Sequence, residues 1–293
     1  MSEFVAALPM YDWPETRAQT DAAWAVARDL LRTDGVNAPE RLARRNADLP
    51  PVAGGIRDVA GRVLAPDPAT LPPDELDLHT LWRHPGLLLA QTCWGPMERG
   101  LQEHVRVVGQ PDYSAYEGGQ DEYYSSAFLM RRDWVVTKTR RRRFSTSPPS
   151  GRPEGGVRAP DDGKASLPLD LLAGARLAFN SPDSMSGIIA LGRDLEAMGS
   201  GLEIFPHRIE TGSHRASAVA VAEGWADVFA VDCRTWDFIK RRLPQISSRL
   251  DVVGWTGRRK GLPLVSSKTL PPPVAAALQS TLSELPRDRG VAS

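Results

Sequence analysis

The chain has 293 residues, of which 41% are hydrophobic, so it can bury the core of one large domain or of two modest ones. Its 36 Lys and Arg balance 36 Asp and Glu, so no overall field favours nucleic acid, an anionic membrane or a polycation. The two cysteines, Cys93 and Cys233, are too few for a disulfide scaffold and lack partners at metal-ligand spacing. We therefore predict no metal site and no cofactor, and we expect any charged partner to be recognised locally.

No targeting or membrane segment is evident in the sequence. The amino terminus has no basic region and no apolar run of signal-peptide length before the first predicted strand, at 4–8. Elsewhere, no stretch approaches the ~18 uninterrupted apolar residues that a membrane span requires. As written, the sequence predicts a soluble cytoplasmic protein, and a start further upstream would instead allow a periplasmic one.

The chain begins with the pattern of a strand, a turn and a helix. Residues 4–8 form a short apolar run, which is typical of a buried strand. Asp12 and Glu15 have the spacing of a capping box, and Gly35 suits the position just past a helix end. The apolar residues that recur between them at helical spacing are Ala23, Trp24, Ala27, Leu30 and Leu31.

The same alternation continues and indicates parallel sheets flanked by helices. One further helix is predicted from the spacing of Ile188, Leu191 and Leu195, and another is predicted to end at Gly224. The further predicted strands are 86–92, 105–108, 175–179, 208–211 and 227–231.

Two segments interrupt this alternation. Residues 45–77 are rich in Pro, Gly and Asp and predict a long connection with little regular structure. Residues 137–166 contain the run Arg140–Arg143 among Ser, Pro and Gly, a composition that favours a mobile surface insert. A nucleic-acid patch is the alternative, but no aromatic residues alternate with these arginines as a stacking platform requires. We therefore expect no nucleic-acid partner.

Two turns between a predicted strand and a predicted helix carry polar groups suited to an anion. Ser184 and Ser186 flank the first turn of one helix, and Gly212, Ser213 and His214 lead into another. Backbone N–H groups in a first helical turn lack intrahelical partners and lie at the positive end of the helix dipole. Because ligands bind beyond the carboxyl ends of parallel strands, the two helix starts are expected to surround one tetrahedral oxyanion.

Each turn also has a purely structural explanation. A serine before a helix is most often an N-cap, and a single histidine is more often a structural hydrogen-bonding group than a ligand contact. The prediction of a binding site therefore depends on the two turns having the same form.

Both turns lie in segments that resemble one protein family. NSPDSMSG at 180–187 is similar to the Ser-Thr-Ser-Gly helix start of phosphate, phosphite and phosphonate substrate-binding proteins of ABC transporters (PhnD-like proteins). TGSHRASAVAVAEGWADVFAVD at 211–232 is similar to their Gly-Ser-His segment. Stretches at 8–12, 87–96 and 122–133 also resemble members of this group.

The resemblance implies a type II periplasmic-binding-protein fold of the α/β class. In this fold each of two lobes has a mixed, mostly parallel sheet flanked by helices, two crossover segments join the lobes, and the oxyanion lies in the cleft between them. We therefore expect lobe I to comprise 1–112 and 234–293, and lobe II to comprise 113–233 with the insert at about 137–166.

The resemblance also implies which residues contact the ligand. Met185 stands where the family usually has threonine, so one hydroxyl contact is lost. For Tyr11 and Trp94, packing in the core is an equally good explanation. The implied ligand-binding residues are Tyr11, Cys93 and Trp94 from lobe I, Ser184, Met185, Ser186, Gly187, Ser213 and His214 from the two helix starts, Tyr124 near the first crossover and Asp232 near the second.

The identity of the ligand stays open between phosphate, a phosphonate and another small oxyanion. Family members that bind aminoalkyl phosphonates hold the amine with an acidic residue late in the chain, whereas residues 256–263 are basic here. An aminoalkyl phosphonate is therefore not expected.

These features predict a monomeric solute-binding protein that performs no chemistry on its ligand and serves the permease of an ABC transporter. Two alternatives stay open: an enzyme like the thiamine-pyrimidine synthases of the same fold, and a cytoplasmic sensor of a small ligand. The chain has no Gly-x-Ser-x-Gly or His-Glu-x-x-His motif. Cys93 or Cys233 could act as a nucleophile with His214, although buried structural cysteines are more common.

Overall fold

The computed structural model describes residues 3–134 and 156–284, which form two compact α/β units. The first unit contains residues up to Pro111 and from Leu262 onward, and the second contains the chain between them, Asp112–Gly261. The first crossing between units lies within a residue of the predicted boundary, whereas the second lies at 261–262 instead of 233–234.

Strands and helices alternate along most of the described chain. In chain order, the strands are β1 (Val5–Ala7), β2 (Ile56–Arg57), β3 (Val63–Ala65), β4 (Leu87–Gln91), β5 (Val105–Gly109), β6 (Gly119–Gln120), β7 (Tyr123–Tyr124), β8 (Ser126–Arg131), β9 (Arg176–Phe179), β10 (His207–Glu210), β11 (Val228–Asp232), β12 (Leu250–Trp255), β13 (Arg259–Lys260) and β14 (Leu264–Ser267). The α-helices are α1 (Arg17–Thr33), α2 (Leu78–Arg83), α3 (Trp94–Glu98), α4 (Leu169–Leu172), α5 (Ala190–Ala197), α6 (His214–Glu223), α7 (Cys233–Arg242), α8 (Pro244–Ser247) and α9 (Pro272–Glu284). All six strands predicted from the sequence are present, and each end lies within one residue of its predicted position.

The sheet of the first unit has the strand order β1-β4-β14-β5. β1 and β4 are parallel, with Val5 opposite Leu87 and Ala7 opposite Ala90, and β14 is antiparallel to both of its neighbours. Every residue of β1 and β4 is buried, as expected for strands covered on both faces. The carboxyl ends of these two parallel strands therefore lie at the same edge of the sheet.

The start of α1 differs from the predicted capping box. The helix begins at Arg17 and Thr16 is its N-cap residue, so Asp12 and Glu15 do not cap it. Asp12 instead forms an ion pair with Arg44, whose Nε lies 2.6 Å from a carboxylate oxygen. The predicted helix end is correct, because Gly35 follows with a left-handed φ of 81°.

The predicted connection at 45–77 contains more order than its composition indicates. It holds the hairpin β2–β3 and two short 3-10 turns. Asn46 fixes its ends, because its side-chain amide donates to the Pro72 carbonyl and accepts from the Asp77 N–H, both at 2.9 Å. The apolar β2 residue Ile56 is buried.

The sheet of the second unit has the strand order β10-β9-β11-β8-β12. β10, β9 and β11 are parallel, whereas β8 is antiparallel to both β11 and β12. The pairing of β12 with β8 places residues 234–261 in the second unit, because Leu250 lies opposite Arg131 and Trp255 opposite Ala127. The predicted boundary at 233–234 differs because the predicted strands do not include β12.

Part of the predicted mobile insert is an ordered part of this sheet. Gly156 forms a bridge with Val252, and Ser166 forms one with Trp255. The Trp255 indole N–H also donates to the Val157 carbonyl at 2.8 Å. The prediction of mobility is therefore wrong for 156–166, which packs along β12, whereas Arg140–Arg143 lies outside the described residues.

A buried ion pair ties α5 to the chain that follows β12. Asp194 of α5 accepts hydrogen bonds from the Gly257 N–H at 2.9 Å and from the Arg259 guanidinium at 3.1 Å. The Asp194 side chain is 9% exposed and that of Arg259 is 24% exposed, so water screens this pair weakly.

Asp194→Asn is expected to lower the free energy of unfolding by roughly 3 kcal/mol, because it leaves the Arg259 charge without its counter-charge in a mostly buried place. Asp133→Asn is the matched control, since it breaks an exposed pair with Arg131, and its cost is expected to stay below about 1 kcal/mol. Urea unfolding of both variants measures the two values. Equal losses would contradict a special role for the buried pair.

His84 is a buried histidine that holds two backbone groups. Its Nδ1 accepts from the Gly86 N–H at 3.1 Å, so the ring is neutral with its proton on Nε2, which donates to the Pro50 carbonyl at 3.0 Å. Burial lowers the pKa of His84, and the Pro50 carbonyl opposes this shift only partly.

Acidification from about pH 7.5 to about pH 5 is expected to destabilise the protein through His84. The side chain of His84 takes up a proton near its ordinary pKa of 6.5 in the unfolded protein, but only at a lower pH in the folded protein. The contribution of neutral His84 to the free energy of unfolding is therefore complete above pH 6.5 and is lost as the pH falls from 6.5 through the pKa of the folded state. Urea unfolding at both pH values should show a smaller pH effect for His84→Gln than for the parent. An unchanged pH effect would contradict this assignment.

Candidate functional site

Three parallel strands of the second unit end at one edge of its sheet. β9, β10 and β11 end at Phe179, Glu210 and Asp232, and the turns that follow β9 and β10 each lead into a helical start. Carboxyl ends of parallel strands are the usual place for a ligand in α/β sheets. The two turns singled out in the sequence therefore lie side by side.

The first turn leads into a π-helical turn, Met185–Ile189, which continues as α5. Ser184 is the N-cap, and its hydroxyl oxygen accepts from the Gly187 N–H at 3.1 Å. Met185 is buried, and its sulfur lies 3.9 Å from an Arg193 guanidinium nitrogen, so its side chain packs along the helix. Single π-turns inside helices occur frequently at functional sites.

The second turn repeats this arrangement. Ser213 is the N-cap of α6, and its hydroxyl oxygen accepts from the Ala216 N–H at 3.1 Å. Gly212 has a left-handed φ of 82°, which glycine adopts without strain. α6 then begins at His214. Both caps thus have the structural role that serine commonly has at a helix start.

One contact joins the two helix starts. The hydroxyl oxygen of Ser186 lies 2.8 Å from Nε2 of His214, within hydrogen-bond distance, and 3.5 Å from the hydroxyl oxygen of Ser184. Ser186 is buried, and the His214 side chain is 15% exposed. The geometry therefore brings together groups from two helices, as the common form of the two turns predicts.

Asp232 adds a buried negative charge to this group. One of its carboxylate oxygens accepts from the Thr235 N–H at 2.9 Å and so caps α7, and the other lies 3.9 Å from His214 Nε2. Burial lowers the pKa of His214, whereas Asp232 and the Ala230 carbonyl act in the opposite direction. His214 is therefore neutral at neutral pH.

The arrangement differs from that of a catalytic triad. Ser186 and Asp232 both approach the same imidazole nitrogen, Nε2, whereas in a triad the carboxylate orients the histidine through the nitrogen opposite the nucleophile. Burial also raises the pKa of Cys233 well above its usual value, so this thiol is not an activated nucleophile. Within the described ranges, no group of three His, Cys, Asp or Glu residues is placed to hold a metal ion.

The other predicted ligand-binding residues lie apart from this group in the sequence. Tyr11 and Cys93 are buried in the first unit, and Trp94 is partly buried against its core. All three follow the carboxyl ends of β1 or β4. In the second unit, the buried Tyr124 packs against Tyr113 with 5.2 Å between ring centroids.

The basic stretch at 256–263 is largely neutralised within the second unit. Arg259 pairs with Asp194, and Lys260 lies 3.2 Å from a carboxylate oxygen of Glu122. The stretch therefore does not act as an isolated cationic patch.

Three buried polar side chains at strand ends were not identified from the sequence. Asn180 follows β9, Gln91 ends β4 and Thr92 follows it. The side-chain oxygens of all three are buried, and no described residue donates or accepts a hydrogen bond there. Polar residues directly after an apolar strand are the sequence signal that would have identified them.

Comparison with known families gives one match that covers more than half of the chain. The sequence profile of the family described as ABC transporter, phosphonate, periplasmic substrate-binding protein matches residues 119–292. This range includes both helix starts and Asp232. A comparison with curated protein sequences gives no match.

Several solved structures share the fold across nearly the whole chain. PhnD1 of Prochlorococcus marinus in complex with methylphosphonate has a TM-score of 0.58 at 16% identity and covers 97% of this chain and 85% of its own. XAC2383 of Xanthomonas citri bound to chloride has a TM-score of 0.56 at 15% identity, and the match covers 98% of this chain and 88% of XAC2383. The binding protein PA3383 of a Pseudomonas aeruginosa ABC phosphonate transporter has a TM-score of 0.55 at 13% identity, and the match covers 96% of this chain and 74% of PA3383.

The imidazole of His214 is expected to titrate below its ordinary pKa of 6.5 in the ligand-free protein, because burial disfavours the charged form. An NMR titration measures this value, and the spectrum of His214→Gln assigns the signal. A pKa at or above 6.5 would contradict the buried, neutral state.

Proposed function

Because this chain belongs to the family of periplasmic substrate-binding proteins of ABC phosphonate transporters, we propose that Ser186, His214 and the adjoining backbone hold a small phosphonate or a related oxyanion. The family consists of binding proteins, so the chain is a solute-binding protein and not an enzyme. The family resemblance, the α/β fold class and the prediction of a solute-binding protein are thereby confirmed.

The observation that carries the proposal is the 2.8 Å contact between Ser186 Oγ and His214 Nε2. It joins two helix starts from different strands, and each start contributes backbone N–H groups and the positive end of a helix dipole. Such groups attract an anion without needing a fixed positive charge. An oxyanion bound beside Ser186 would therefore receive donors from both helices.

The capping serines are compatible with this role. Ser184 and Ser213 use their hydroxyl oxygens to accept from Gly187 and Ala216. A hydroxyl also has one proton to donate, so each cap can still donate to a ligand oxygen. The structural and the binding explanations of these serines therefore do not exclude each other.

The number of available donors is sufficient for useful affinity. A hydrogen bond to a charged group contributes roughly 1.5 to 3 kcal/mol net, and micromolar affinity corresponds to about 8 kcal/mol. Five such bonds contribute roughly 7.5 to 15 kcal/mol, so a value near the middle of this range supplies the required free energy and leaves a surplus for the cost of ordering. The two helix starts offer that number from side chains and first-turn amides.

A compact oxyanion is the class of ligand that this group fits best. PhnD1, which shares the fold, is in complex with methylphosphonate, and we extend this ligand class to the present chain. Phosphate remains the alternative within the same chemistry. An aminoalkyl phosphonate is not proposed, because residues 256–263 provide basic side chains instead of a carboxylate.

A role in ligand binding is also proposed for three residues of the first unit. Tyr11, Cys93 and Trp94 lie near the carboxyl ends of two parallel strands, which is also where the helix starts of the second unit lie on their own sheet. This equivalence of position supports a role in binding, and the role stays a prediction.

The family supports a proposal for the partner and the compartment. Its members are periplasmic components of ABC transporters, and we propose that this chain is a monomer that acts in the periplasm and delivers its ligand to a permease. Among the described helices, none is long and apolar enough to cross a membrane. Fractionation by osmotic shock separates this proposal from the cytoplasmic location predicted from the amino terminus.

The two alternatives receive less support. The matching family is one of transport proteins, so an enzyme like the thiamine-pyrimidine synthases is not favoured. A cytoplasmic sensor would share the binding site and differ in its partner and its compartment, so the fractionation experiment also tests this alternative.

Methylphosphonate or phosphate is expected to raise the melting temperature of the protein, and isothermal titration calorimetry is expected to give a dissociation constant for the better ligand. Ser186→Ala or His214→Gln should weaken binding by about 10- to 100-fold, because each removes one hydrogen bond to a charged oxygen. The double variant Ser186→Ala with His214→Ala should abolish the melting shift.

Ser280→Ala is the matched control, because it removes an exposed hydroxyl on α9 that bonds to Glu284. Its affinity should equal that of the parent protein. The proposal is overturned if no oxyanion binds, or if the Ser186→Ala and Ser280→Ala proteins bind equally well.

A further inference from the structure

Asn180 lies between the two helix starts. It is the first residue after β9, and its backbone carbonyl accepts from the Gly212 N–H at 3.0 Å. Beside it, Thr211 donates its N–H at 2.9 Å and its hydroxyl at 3.0 Å to the Phe179 carbonyl. Three hydrogen bonds therefore join the last residue of β9 and the turn after it to the turn after β10.

The side chain of Asn180 contacts the other end of its own turn. A Cβ atom on Gly187 would lie 2.2 Å from the amide oxygen Oδ1 of Asn180 and 3.0 Å from the hydroxyl oxygen of Ser184. Only glycine allows this close approach. The carboxamide thus packs directly against the residue that follows Ser186.

The amide oxygen of Asn180 is buried, and no described residue donates a hydrogen bond to it. Burying a hydrogen-bond acceptor without a donor destabilises the folded state. We therefore expect the Asn180 side chain to have a role that a smaller apolar side chain could not perform. Its position against Gly187 indicates a role in packing geometry.

We propose that Asn180 is a positioning residue that sets the distance between Ser186 and His214. Its main chain holds the start of α6 through Gly212, and its side chain supports the π-helical turn through Gly187. Without this support, the turn can move toward β9 and away from His214. The consequence for oxyanion affinity depends on the proposed function, whereas the effect on the spacing does not.

The first experiment measures the spacing without a ligand. In Asn180→Ala, the pKa of His214, followed by NMR, is expected to rise toward its ordinary value, because a looser contact with Ser186 admits water to the ring. Its affinity for methylphosphonate is expected to fall about tenfold. Should this variant fail to fold, Asn180→Leu keeps the volume of the side chain without adding a charge. If Asn180 acts by supporting Gly187, the pKa of His214 and the affinity for methylphosphonate should then stay close to those of the parent protein, and a tenfold loss of affinity would overturn the packing role.

The second experiment tests the contact with Gly187 by a double-mutant cycle. Gly187→Ala should weaken methylphosphonate binding, because the new methyl group collides with the Asn180 amide oxygen. Asn180→Ala removes that oxygen, so the double variant should bind better than Gly187→Ala alone. Purely additive losses would overturn the proposed contact.

Asn46→Ala is the matched control, since it removes a side chain that bridges two backbone groups in the first unit. It should lower the melting temperature but leave the pKa of His214 and the affinity unchanged. If Asn180→Ala gives that same result, the inference is overturned while the proposed function stands. If the pKa of His214 changes but the parent protein binds no oxyanion, the proposed function fails and the positioning role stands.

Discussion

The parallel pairing of β9 with β10 and β11 is the constraint on which the candidate site depends. His207 lies opposite Arg176 and Glu210 lies opposite Phe179, so the two strands end together. Each of these two strands is followed by a turn and a helical start. Ser186 and His214 are 28 positions apart in the chain, yet their side chains lie within hydrogen-bond distance. A slip of one residue in this register would turn each strand's side chains to the opposite face.

In the candidate site, the neutral His214 lies near the buried carboxylate of Asp232 and also contacts Ser186, which is proposed to bind the anion. An oxyanion near Ser186 would bring a second negative charge toward Asp232, which is 3.9 Å from His214 Nε2. Two negative charges on one imidazole favour its protonation. An oxyanion held at the proposed site would therefore couple its binding to proton uptake by His214, and the added proton would offset the repulsion between ligand and carboxylate.

The strands could be predicted from the sequence, but the long-range side-chain contacts around them could not. Short apolar runs, such as residues 87–91, carry their own signal because both faces are buried. The helix start at Arg17 was misjudged because Asp12 is engaged by Arg44, 32 residues away. In the site, the likeness of the two turns predicts that they meet. Asn180 is not predicted, because its close approach to Gly187 is a contact that spacing in a single sequence does not reveal.

The arrangement of β12 has a practical consequence for protein engineering. The Arg132 N–H donates to the Arg249 carbonyl at 2.9 Å, and Gly156 pairs with Val252 three positions further along. The chain just before 133–155 and the chain just after it are therefore both bonded to the segment 249–252. Arg132 and Arg249 lie at the end of the sheet away from Ser186 and His214. A guest domain whose own termini are close could be spliced in there at little cost in loop closure.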